Sequence, residues 1–129
     1  MTRCDEVGAA STFKAPIKIL VVEDEVLVRL AVGQFLREQG YVVTEAMDTA
    51  EAMRAVRADP AIAVVFTDII MPGSQDGQVL ADWLGLYHPA IKVVIASGVR
   101  PAPGSHVPFL QKPYAFTDLV TLIERLVRP

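Results

Sequence analysis

The chain has 129 residues, 52% of them hydrophobic and 21% charged, with a mean hydropathy of +0.37; this is one ordinary domain with a core to bury, not a disordered chain or a multidomain array. A net charge of −3 and a pI of about 5.3 recommend neither nucleic acid nor an anionic membrane as partner. The single cysteine, Cys4, excludes an internal disulfide, no apolar run approaches the roughly 18 residues of a membrane span, and no basic start leads into an apolar stretch, so a cytoplasmic protein is expected.

Residues 1–14 show neither a helical nor a strand period and read as a flexible tail, leaving 15–129 as the folded domain. Ile17 to Val22 is a short, mostly β-branched run that stops at Glu23-Asp24-Glu25. Residues 26–38 then place Val26, Leu27, Leu30, Ala31 and Phe35 at helical spacing, ending near Gly40; Val26, Leu27 and Leu30 are assigned to the core and Arg29 to the solvent side. Residues 41–45 form a second strand. Asp48 with Glu51 three positions on has the form of a capping box, opening a helix with Ala52, Met53 and Val56 on its apolar side that ends at Asp59-Pro60.

The alternation repeats. Residues 62–67 are nearly all apolar, as in a strand covered on both faces. A helix is expected from about Gly77 to Tyr87, with Trp83 at or near the core, then a fourth strand over 91–96. Gly98, Pro101, Pro103, Gly104 and Pro108 crowd the next eleven positions, where no stable helix of normal length is expected. Residues 107–111 can form a fifth strand and 117–127 a last amphipathic helix. Five strands alternating with helices argue for right-handed βαβ units and a doubly wound parallel sheet, whose functional crevice lies beyond the carboxyl ends of the strands.

Polar residues stand at those ends: Glu23 and Asp24 after the first strand, Asp68 after the third, Ser97 after the fourth and Lys112 after the fifth. Singly, each has a plain reading, as a helix cap, a turn residue, a Ser-Gly turn or a solvated lysine. Jointly, three carboxylates meeting at one edge call for a divalent cation, and an open cluster of hard oxygens suits Mg²⁺. With Lys112 as a fixed ammonium and Ser97 as a hydroxyl donor, the set could hold an anion while one carboxylate attacks it, the arrangement an aspartyl phosphate needs.

The segments VVEDE (21–25), FTDIIMPGSQDG (66–77), IASG (95–98) and FLQKPY (109–114), in this order, resemble the receiver domain of two-component response regulators. The resemblance covers residues 17–127 and implies a flavodoxin-like five-stranded sheet in the order 2-1-3-4-5. It implies Asp68 as phosphoacceptor, Asp24 as direct Mg²⁺ ligand with Glu23 acting through water, and the main-chain carbonyl of Ile70 as a further ligand. Ser97 falls on the switch hydroxyl, Phe109 on the switch aromatic and Lys112 on the phosphate-pairing lysine, with Lys112–Pro113 commonly cis in the family. The implied partners are a sensor histidine kinase or a histidine phosphotransfer protein and a downstream protein, with no nucleic acid and no membrane.

The chain also departs from the pattern. The first acid is Glu23 where Asp is commoner, and the loop 71–77 is one residue longer than usual. Ser97 and Lys112 lie closer in sequence than usual, so the family's fourth helix is expected to be missing or very short. Ile70 and Val99, two positions after Asp68 and Ser97, are apolar, which predicts slow self-dephosphorylation. The length and the two ends lean toward a complete, stand-alone receiver. The alternative is a phosphorylation-independent interaction module that keeps the fold.

Overall fold

The computed structural model describes residues 16–68, 76–98 and 107–128. The expected tail, the Ile70 carbonyl, Val99 and residues 99–106, on which the shortened fourth helix was expected, lie outside them. Nine elements follow in chain order: β1 (Lys18–Val22), α1 (Val26–Glu38), β2 (Val42–Ala46), α2 (Thr49–Ala58), β3 (Val64–Asp68), α3 (Asp76–Tyr87), β4 (Lys92–Ser97), β5 (Phe109–Gln111) and α4 (Phe116–Val127). The strands form one parallel sheet in the order β2-β1-β3-β4-β5. This is the doubly wound α/β architecture expected from the alternation, in the flavodoxin-like strand order that the resemblance implies.

Period-two alternation along the strands divides the apolar side chains between two faces. Ile19, Val21, Val64, Phe66 and Val94 pack under α1 and α4, against Val32, Leu36, Leu119 and Ile123. Leu20, Val22 and Val65 face the other way, toward Ala52 and Val56 of α2 and Leu80 and Leu84 of α3. β1 and β3 are central and almost wholly buried, and each such Leu, Ile or Val contributes about 1.5–3 kcal/mol by leaving water.

The helix ends follow from local chemistry. Asp48 Oδ1 accepts from the Glu51 N–H at 2.8 Å, and Glu51 Oε1 accepts from the Met47 N–H at 2.7 Å, so the return bond of the capping motif lands one residue before the cap. Gly40 ends α1 with φ 97°, a conformation open to glycine. The Asp118 carboxylate accepts from the Ala115 N–H at 3.1 Å and secures the start of α4.

One assignment needs correction. Val26, Leu27 and Leu30 are not core; they are 53%, 76% and 48% exposed, and Val32, Gly33 and Leu36 face the sheet instead. The run VLVRLAV is apolar nearly all round, so its period alone does not choose a face. Trp83 is half-buried against the α2–α3 cluster, with the Arg57 guanidinium 5.2 Å from its ring centroid and the His88 ring 5.0 Å away.

Candidate functional site

The carboxyl ends of the three inner strands carry the acids and the hydroxyl. Asp68 and Ser97 are the last residues of β3 and β4 rather than the first residues beyond them. Asp68 pairs in register with Ala96, so Ser97 stands one residue farther along the neighbouring strand. Lys112 follows β5 directly, and its N–H donates to the Ser97 carbonyl at 2.8 Å. That bond sets the ammonium beside β4, and Lys112 Nζ donates to Asp68 Oδ2 in a direct ion pair. The Lys112–Pro113 bond is cis.

β1 delivers the acid pair. The Glu23 N–H continues the pairing with β2 by donating to the Ala46 carbonyl at 3.0 Å, and Glu23 Oε2 accepts from the Glu25 N–H at 3.1 Å. The N-cap of α1 is Glu25, with no side-chain cap bond, so Asp24 is not the helix cap that a plain reading allowed. Asp24 is exposed, whereas Glu23 is 9% exposed. Glu23, Asp24 and Asp68 line one small cleft, together with Met47, Asp48 and Gly77.

The crowding has an electrostatic signature. Glu23 is raised from 4.5 to about 7, chiefly by burial; the Glu25 N–H opposes the rise, and hydrogen bonding to Asp24 and Asp68, with the charge of Asp68, adds to it. Tyr114, packed edge-on against Phe66 at 5.9 Å, is pushed up to about 12, first by burial and then by the negative charges of Asp68 and Glu23. Asp68 and Glu23 therefore both act on Tyr114. Phe109 lies apart from them: it is half-buried on β5, in register with Ile95 and two residues short of the strand end.

A hydrated, hard cation fits this donor set. Mg²⁺ binds through one or two carboxylates and keeps several waters, so it needs no closed protein cage. Among the described residues no group of three His, Cys, Asp or Glu is gathered closely enough to form such a cage. Three carboxylates lining one cleft form a hard-oxygen set that a cation would suit. Glu23, Asp24 and Asp68 line the cleft and would be the carboxylates to hold it.

A family model for the response regulator receiver domain matches residues 19–124. The chain belongs to the response regulator receiver family. It is 32% identical over 117 residues to the response regulator receiver protein CpdR of Brucella abortus, covering 85% of this chain and 96% of that protein. It is 30% identical over 130 aligned positions to the sensor kinase CckA of the same organism, of which it spans 14%, and it spans 57% of the transcriptional regulatory protein PdtaR of Mycobacterium tuberculosis. Among solved structures, the receiver domain of the hybrid histidine kinase CckA superposes with a TM-score of 0.72 at 34% identity, covering 86% of this chain and 99% of that one. A response regulator receiver protein from Sinorhizobium medicae gives 0.75 at 27% identity, covering 86% and 94%. Among the described residues, no helix of this receiver domain is long and apolar enough to cross a membrane.

Sequence reasoning missed two residues around the site. Tyr114 belongs to the FLQKPY segment but carried no separate signal. Arg29, assigned to the solvent side, instead turns its guanidinium toward Glu23 and Glu45. Nothing in a single helix predicts that, because Glu45 lies on the neighbouring strand.

Proposed function

We propose that this receiver domain accepts a phosphoryl group from a phosphohistidine onto Asp68 in a Mg²⁺-dependent reaction. The donor is a sensor histidine kinase or a histidine phosphotransfer protein. The observation that carries the reading is the Asp68 carboxylate at the end of a central strand, ion-paired with Lys112 and sharing its cleft with Glu23 and Asp24.

A carboxylate oxygen of Asp68 attacks phosphorus in line with the leaving nitrogen. The O–P bond forms as the P–N bond of the phosphoimidazole breaks, and the imidazole nitrogen keeps the electron pair and takes up a proton. Lys112 neutralises charge on the transferring phosphoryl oxygens, and the Ser97 hydroxyl donates to one of them. Asp24 and Asp68, with Glu23 through water and the main-chain carbonyl that the resemblance assigns to Ile70, would hold a Mg²⁺ ion, which would supply further charge neutralisation at the phosphoryl group. Ser97 and Phe109 then couple the site to a surface read by a downstream protein, as two positions of one bistable element. In the cytoplasm, such a receiver domain would signal through protein contacts or act as a phosphate relay or sink.

Incubation with acetyl phosphate and Mg²⁺, followed by intact mass, tests the reading. The expected result is a gain of one phosphoryl group in the wild type, absent in Asp68→Asn and absent with a chelator. A wild type that never takes up phosphate, or an Asp68→Asn variant that still does, refutes it and favours a phosphorylation-independent interaction module.

A further inference from the structure

Arg29 reaches in two directions from the second turn of α1. Its Nη1 donates to the main-chain oxygen of Glu23 at 2.8 Å, and its Nε lies 3.4 Å from Glu45 Oε1 on β2. The other Glu45 oxygen, Oε2, is held by Arg37 Nη2 at 2.9 Å, and the same Arg37 nitrogen donates to the Val43 carbonyl at 3.1 Å. Gly33 leaves room for this arrangement: a Cβ there would sit 3.1 Å from Glu45 Oε2 and 3.3 Å from Arg37 Nη1. The Arg29 and Glu45 side chains are only 16% and 19% exposed, so the pair is largely withdrawn from water, where a charge-assisted contact is stronger than on an open surface.

The consequence falls on the Glu23 main chain. Its N–H is tied to Ala46, its carbonyl to Arg29, and its carboxylate to the Glu25 N–H. The β2 backbone thus holds the peptide before Glu23, and the Arg29 guanidinium holds the carbonyl of the peptide that joins Glu23 to Asp24. Asp24 hangs directly from that peptide.

We infer that Arg29 is a positioning residue of the cation site. Braced by Glu45, it fixes the Glu23–Asp24 peptide and with it the Asp24 carboxylate, so divalent-cation affinity depends on an ion pair outside the cleft. This rests on Asp24 as a cation ligand. Outer-shell groups that orient ligands commonly change metal affinity about 10–100-fold. The sign of the effect separates positioning from simple charge. A positive charge near the cleft repels a cation, so its removal alone would tighten binding. Removal of a brace weakens it.

The experiment is binding of Mn²⁺ alone, followed by electron paramagnetic resonance on the full chain, for wild type, Arg29→Met, Glu45→Gln, the double variant and Asp24→Asn. Arg29→Met is expected to bind about tenfold more weakly, at the low end of the outer-shell range. Glu45→Gln is expected to show a smaller loss, and the double variant no more than Arg29→Met, because both changes remove one strut. Amide exchange should quicken at Asp24 and Glu25 while β3 and β4 keep their protection. Unchanged or tighter Mn²⁺ binding by Arg29→Met overturns the inference. Should Arg29→Met fail to fold, unchanged binding by Glu45→Gln overturns it equally. Failure of the wild type to bind Mn²⁺, or wild-type affinity in Asp24→Asn, overturns instead the assignment of the cation site.

Discussion

Lys112→Met removes the cation that faces Asp68 while keeping most of the side-chain stem; two readouts should fall and a third should rise. The Asp68 side chain is 11% exposed and its lysine partner 37% exposed. A contact pair at ~4 Å has a gross attraction of about 4 kcal/mol at an effective dielectric of about 20. The part-exposed ammonium is screened, so the loss should fall between the ~0–1 kcal/mol of a surface pair and the ~3–5 kcal/mol of a broken buried one, at about 2 kcal/mol. For a domain of this size that is a fall of roughly 5–10 °C in Tm, measured with a chelator present. Mg²⁺ affinity should rise instead, because a unit charge ~6 Å from a divalent ion opposes it by about 1.4 kcal/mol even in bulk water, close to tenfold. Phosphoryl uptake from acetyl phosphate should drop by at least about 100-fold, the usual cost of losing a preorganised donor at a developing charge. Calorimetric Mg²⁺ titration, thermal melts and intact-mass time courses give the three values. A variant that binds Mg²⁺ more weakly, or that takes up phosphate at the wild-type rate, would show that Lys112 does not face the reacting group.

Glu23 predicts a pH dependence. Its folded value of about 7 lies above its ordinary 4.5, so the folded state holds the extra proton between those limits; the contribution of this group is most favourable below pH 4.5, falls as pH rises toward about 7 and is level beyond. Urea melts in a chelator should show that decline, and Glu23→Gln should flatten it; an identical slope in the variant would assign the effect elsewhere. Leu119→Ala empties a fully buried position under the sheet and should cost about 3 kcal/mol, read from the urea midpoint at unchanged m. Leu27→Ser, on the exposed side of α1, should stay within about 0.5 kcal/mol of wild type in the same assay, and a loss like that of Leu119→Ala would restore Leu27 to the core.

The strand-and-helix alternation was legible because apolar runs such as Ile62 to Thr67 and caps such as Asp48 with Glu51 are local signals. The site was legible for a related reason: in a parallel sheet every strand points the same way, so Asp24, Asp68, Ser97 and Lys112 needed only their places after apolar runs to be gathered in thought. The inward face of α1 was not legible. Val26, Leu27 and Leu30 are as apolar as Val32 and Leu36, and the choice between them is made by the sheet that α1 lies on. The direction of Arg29 was hidden for a similar reason. Glu45 stands sixteen positions later, and only the β1–β2 register, with Val21 opposite Glu45, brings the two together.

Gly33 matters for what it lacks: a methyl group there would stand 3.1 Å from Glu45 Oε2 and 3.3 Å from Arg37 Nη1, tighter than ordinary van der Waals contact. Alanine there would favour the helix by about 1 kcal/mol and at the same time press on Glu45 and Arg37. Positions 33 and 45 are therefore not free to vary independently. A side chain at 33 is accommodated only if Glu45 and Arg37 give by a few tenths of an ångström, so the effect of a substitution there should depend on which residue stands at 45.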